Sequence, residues 1–161
     1  MQSFRLFRLL ATGVFALAIL NGCKKSETYP PLPDAVYIIA NAITGPGSTA
    51  STAITNSASG KVSVSPAVGR VYVNTMKTAD VTITYTLSGT AVAGVNYTAP
   101  NPMSITIPAG QWWADIKIPV INAALASNKT IVITLATATN NIQLGLGADR
   151  TYKTFTYTLT N

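Results

Sequence analysis

Beyond residue 34, apolar and polar residues alternate with a period of two along most of the chain. The clearest run is Val81-Thr-Ile-Thr-Tyr-Thr-Leu-Ser88, in which Val81, Ile83, Tyr85 and Leu87 face one way and Thr82, Thr84, Thr86 and Ser88 the other. Successive side chains of a strand project to opposite faces, so this run predicts a half-buried β-strand. The same alternation sets Met103, Ile105 and Ile107 inward, then Ile131, Ile133 and Leu135, then Phe155, Tyr157 and Leu159 within Thr154–Thr160. Along Gln111–Val120 it places Trp112, Ala114, Ile116 and Ile118 on the inner face and Trp113, Asp115 and Lys117 on the outer one. Val36–Ala40, Lys61–Ser65 and Arg70–Thr75 are shorter strand candidates.

Turn signals separate these runs: Gly45-Pro46-Gly47, Ser59-Gly60, Gly89, Pro100-Asn101-Pro102, Ala109-Gly110 and Gly145-Leu146-Gly147. About seven or eight short strands, each with one polar face, predict an all-β domain over residues 35–161, two antiparallel sheets packed as a sandwich. Residues 41–60 are rich in Gly, Ser, Thr, Ala and Asn and read as a loop, with an edge hairpin around Ala53–Thr55 as the alternative. Helix is expected only ahead of residue 23, with a turn near Ala123–Ser127.

The first 23 residues follow a different logic. Arg5 and Arg8 precede an apolar run from Leu9 to Leu20, which leads to Asn21-Gly22-Cys23. A basic start, a short apolar stretch and a small residue before a cut site make a secretory signal. The apolar run falls short of the ~20 residues of a spanning helix. Leu20-Asn21-Gly22-Cys23 resembles the lipobox of bacterial lipoprotein precursors, with Asn21 standing where that family usually has Ala or Ser. The resemblance implies cleavage between Gly22 and Cys23, removal of residues 1–22 as a signal helix, and acylation of Cys23. One acyl chain holds a bilayer only marginally, at ~0.8 kcal/mol per buried methylene, whereas two or three hold it durably. The alternative is an ordinary secretory signal that happens to end near a cysteine. Residues 23–34 then form the lipidated Cys and a proline-rich tether, with Pro30, Pro31 and Pro33 favouring an extended spacer. Lys24 occupies the position where an Asp often retains lipoproteins at the inner membrane, so the expected destination is the outer membrane. Lys24 and Lys25 either rest against anionic headgroups or are simply solvated.

Charge changes the picture by its scarcity. The chain of 161 residues carries 10% charged residues and a formal charge of +6. Loss of Arg5 and Arg8 with the leader leaves nine basic and five acidic residues, scattered and not interleaved with aromatics, which argues against nucleic acid. There is one cysteine and no histidine. An internal disulfide, a Ser-His-Asp triad, a Cys-His pair and a His- or Cys-built zinc site are therefore excluded. Asp34, Asp80, Asp115 and Asp149 are too dispersed in sequence to predict a glycosidase pair, and each reads as a solvated surface acid. No enzyme activity, cofactor or catalytic residue is expected.

Thr84-Tyr-Thr-Leu-Ser-Gly-Thr90, Ala93-Gly-Val-Asn-Tyr97, Ile105-Thr-Ile-Pro-Ala-Gly110 and Ile118-Pro-Val120 together resemble Calx-β domains. That resemblance implies a seven-stranded immunoglobulin-like sandwich. Calcium-binding members of that family place several acids after the Pro-Ala-Gly strand, whereas Ile121–Thr130 here contains none and Asn96 stands where Asp is frequent. Calcium needs six to eight oxygen ligands, largely carboxylate, so no metal site is expected.

The functional expectation is a non-catalytic cell-envelope lipoprotein, held to the bilayer through Cys23, whose sandwich acts as an adhesion or accessory domain. The alternative is a carbohydrate-binding module in which exposed Trp113, flanked by Asp115 and Lys117, stacks on sugars. A plainer account of Trp113 is that it lies against the 41–60 segment or caps a sheet edge.

Overall fold

The alternating segments become strands that pair into two layers. The computed structural model describes residues 32–40 and 54–161. Along them run β1 (Ala35–Ile39), β2 (Ser57–Lys61), β3 (Ala67–Val73), β4 (Val81–Ser88), β5 (Ser104–Ile107), β6 (Trp113–Ile118), β7 (Lys129–Ala138), β8 (Gln143–Leu144) and β9 (Thr154–Thr160). One sheet has the order β6-β3-β1-β8 and the other β2-β9-β7-β4-β5. The all-β sandwich expected from the alternation is present. Both sheets are mixed, because β1–β8 and β2–β9 pair in parallel while the remaining ladders are antiparallel.

The core lies between the inner faces. Ile38, Ile83, Ile116, Ile118, Ile131, Ile133, Leu135, Phe155 and Leu159 are all buried there. Each such burial stabilises the fold by roughly 1.5–3 kcal/mol before ordering entropy is counted. β3 contributes Gly69 at this level, where an added Cβ would stand 3.0 Å from Ile38 Cδ1 and 3.2 Å from Phe155 Cδ1. The larger sheet's outer face carries rows of hydroxyls, such as Ser59–Thr158–Thr130 and Thr154–Thr134–Thr86. Some pair with one another: Thr84 and Thr137 lie 2.6 Å apart, Thr82 and Thr106 3.1 Å.

The two ends of the sandwich differ. The chain enters β1 beside the ends of β3 and the start of β6. There Asn74 accepts from the Ala35 N–H at 2.8 Å, and its amide donates to the Pro33 carbonyl at 2.9 Å. Lys77 pairs with Asp34, and its carbonyl accepts from the Gly110 N–H at 2.8 Å. We call this the entry end. At the far end Ser65 accepts from the Val120 N–H at 2.9 Å, and the Ile121 N–H donates to the Asn96 carbonyl at 2.9 Å.

Several expectations require correction. Ser59-Gly60 is no turn but the middle of β2, and the strand expected over 61–65 stops at Lys61. β2 buries no large side chain; it forms because it completes a parallel ladder along β9, and Gly60 admits the Tyr157 hydroxyl, which a Cβ would strike. The 41–60 loop therefore ends in a strand, while residues 41–53 lie outside the described residues. β3 begins at Ala67 instead of residue 70. Met103 is 38% exposed instead of inward, because β5 starts after it as an edge strand. Trp112 is not inward either: β6 begins at Trp113, so Trp112 lies in the preceding bend and is 46% exposed.

Candidate functional site

The outer face of the smaller sheet gathers the chain's concentrated side-chain chemistry around Trp113. β6 is an edge strand, and alternation turns Ile116 and Ile118 inward and Trp113, Asp115 and Lys117 outward, as the sequence predicts. Register supplies the neighbours. Trp113 stands opposite Tyr72, which stands opposite Tyr37, so three aromatics form one row across β6, β3 and β1. The two tyrosine rings stack with centroids 5.6 Å apart and planes inclined by 15°. In the next row Asp115 stands opposite Arg70.

Arg70 links the two rows. Its Nε donates to Asp115 Oδ1 at 2.7 Å and its Nη2 to Oδ2 at 3.0 Å, a bidentate pair. Its Cζ lies 3.5 Å from the centroid of the Trp113 ring, a cation–π contact. The Arg70 and Asp115 side chains are only 12% and 15% exposed, so Asp115 is not the solvated acid expected from the sequence. The hydrogen bond to Asp115 raises the Arg70 pKa above its ordinary range, against the opposing pull of partial burial. Burial pushes the Tyr37 hydroxyl up, reinforced by Tyr72. Lys117 lies one row further, opposite Val68, and takes no part in this cluster.

These contacts define what the face can do. Trp113 is 43% exposed, with guanidinium over its ring. The tyrosines cover each other, and Tyr72 is buried. The arrangement thus offers one indole beside a neutralised ion pair, not a flat aromatic platform. Tyr37, Arg70 and Tyr72 were missed in the sequence, although their parity against Val36, Ile38, Val71 and Val73 marks them as outward.

The remaining candidates have structural occupations. Asp80 accepts from the Ala109 N–H at 2.9 Å, and Asp34 pairs with Lys77. Asp149 is exposed in the loop before β9. Asn96 is buried and accepts from the Val92 N–H at 2.8 Å, closing its own turn. Among the described residues no three His, Cys, Asp or Glu side chains gather into a metal-binding group. No described helix is long and apolar enough to cross a membrane. Gly22 and Cys23 lie outside the described residues. At the entry end a groove of about 450 Å³ is lined by Asp34, Lys77, Asn140, Gln143 and Arg150.

The molecule is a two-sheet immunoglobulin-like β-sandwich. Among solved structures it is similar to the apo-form Calx CBD1 domain, with a TM-score of 0.56 and 16% identity over 78% of this chain and 95% of that one. It is also similar to the calcium-binding domain CBD12 of CALX1.1 (TM-score 0.53, 16% identity, 64% of this chain) and to CBD12 from CALX1.2 (0.54, 16%, 65%). The chain spans 40% and 41% of the length of those two structures. At this identity the likeness establishes a Calx-β-like fold. No family model and no curated protein matches the sequence.

Proposed function

We propose that the chain is a non-catalytic bacterial envelope lipoprotein that presents a Calx-β-like sandwich as an interaction domain, an adhesin or an accessory subunit. The supporting observation is the placement of the single cysteine: Cys23 directly follows a basic start and a short apolar run, and a proline-rich tether separates it from the sandwich. Lys24 in place of Asp favours the outer membrane. The missing histidines and the engaged or scattered carboxylates favour binding over catalysis, without a cofactor and without calcium. Mass spectrometry of protein from its native host tests this. The expected N-terminus is an acylated Cys23; a bare cysteine or a retained leader overturns the reading.

A second reading, a carbohydrate-binding module, is favoured by one observation: the exposed Trp113 indole beside the Arg70–Asp115 pair. Stacking of a sugar on an indole is a common mode of glycan capture. Retention of the parent on immobilised polysaccharides, lost in Trp113→Ala, supports it. No retention by the parent removes it.

A further inference from the structure

The exposed tryptophans share one end of the sandwich, and it is the end at which the chain enters. Trp112 and Trp113 are the only tryptophans in the sequence. The Trp112 carbonyl accepts from the Val73 N–H at 3.0 Å, next to Asn74, whose side chain holds Ala35 and Pro33. Met76, in the loop that pairs Lys77 with Asp34, is 47% exposed at the same end. Among the described residues neither indole N–H finds an acceptor. Large apolar residues exposed at the far end, Val64, Val92 and Val95, are all aliphatic.

Nine residues lead from Cys23 to Leu32, and a chain of that length reaches at most about 30 Å. An acyl anchor at Cys23 therefore keeps the entry end near the bilayer. Tryptophan is the side chain enriched at membrane–water interfaces, where the ring meets apolar groups and its N–H meets water or headgroup oxygens. The entry-end groove adds Arg150, which suits lipid phosphates, while Lys77 in the same groove is paired with Asp34. Asp34, Asp80 and Asp149 offset much of that charge, so the indoles and not net charge define the contact.

We propose that the entry end is a bilayer-resting surface, with Trp112 seated in the headgroup region of the phospholipid membrane that carries the Cys23 anchor and Met76 and Trp113 beside it. The anchor supplies affinity; the indoles fix the tilt of the domain. This inference rests on the lipoprotein reading.

Having only two tryptophans makes the test direct. The lipidated full chain is reconstituted into phosphatidylethanolamine–phosphatidylglycerol vesicles, with bromine on the lipid chains near the headgroups or with plain lipid. The expected result is lower tryptophan emission in brominated than in plain vesicles, with the loss retained in Trp113→Phe, where Trp112 is the only emitter. Equal emission in the two vesicles, from protein whose Cys23 acylation is verified by mass spectrometry, overturns the inference and leaves the lipoprotein reading standing. Protein found without acyl chains overturns both.

Discussion

Replacing Asp115 by Asn isolates the contribution of the outer-face cluster. The substitution keeps size and planarity but removes the charge that Arg70 meets through two hydrogen bonds of 2.7 and 3.0 Å. Hydrogen bonds to charged groups contribute roughly 1.5–3 kcal/mol each by mutation, and leaving a largely buried cation unpaired adds to the loss. Two terms reduce it. Residual exposure lets water and salt screen the pair, and the guanidinium keeps its contact with Trp113, worth roughly 0.5–1 kcal/mol. The expected net cost is about 2 kcal/mol. For a domain of this size each kcal/mol lowers Tm by about 4 °C, so the midpoint should fall by about 8 °C. Thermal unfolding followed by circular dichroism measures this. A double-mutant cycle with Arg70→Met should return a coupling of about 1–2 kcal/mol, because the double variant buries no orphaned charge. A stability within about 0.5 kcal/mol of the parent, the scale of an ordinary surface substitution, would falsify the assignment of Asp115 to a structural pair.

Three other outcomes follow from the same packing. Tyr37, Tyr85 and Tyr157 are all shifted upward from 10.0, burial being the leading cause in each. The unfolded chain releases these protons first as pH rises. Stability carried by the neutral hydroxyls is thus complete below pH 10 and declines above it, and urea unfolding at pH 9 and 11 should show the decline. Equal midpoints at the two pH values contradict that. Gly60→Ala drives a methyl onto the Tyr157 hydroxyl, so a loss of about 1–3 kcal/mol is expected; an unchanged urea midpoint would show that β2 yields freely. Calcium at millimolar concentration should leave Tm unmoved, whereas a micromolar site would add about 4 kcal/mol and raise it by many degrees.

What the sequence disclosed tracks how far each element depends on its own side chains. β4 and β9 were readable residue for residue, because Val81–Ser88 and Thr154–Thr160 alternate without a slip and bury their apolar face. β2 was not, since Ser57–Lys61 has no apolar face of its own and is held by the backbone of β9. The two-residue β8 escaped for the same reason, being defined only by its ladder with β1. Parity correctly turned Trp113, Asp115 and Lys117 outward, but parity says nothing about which strand lies alongside. Arg70 reaches Asp115 across 45 positions of sequence, and only the β3–β6 register reveals it. Trp112 shows the opposite limit: alternation extended one residue past the strand start assigns a face that the preceding bend does not keep.

The entry-end geometry makes the two accounts of Trp113 compete. A glycan strand stacking on this indole needs open space along the β6 edge, whereas a bilayer at the entry end occupies the solvent beside Trp112, one residue away. An anchored molecule resting on lipid therefore directs other surfaces at a partner: the far-end loops bearing Val64, Val92 and Val95, and the hydroxyl rows of the larger sheet. The rows suit a largely uncharged partner: β4, β5 and β9 place no charged side chain there, and Lys61, opposite Thr160 on the edge strand β2, is a cation at their margin. Trp113→Ala and mounting on vesicles together separate the two accounts. Polysaccharide retention by the unanchored parent that disappears both in this variant and when the parent is mounted on vesicles would show one surface serving two occupants in turn. Retention that survives mounting on vesicles, together with lipid quenching of Trp113 emission, would mean that the glycan binds elsewhere.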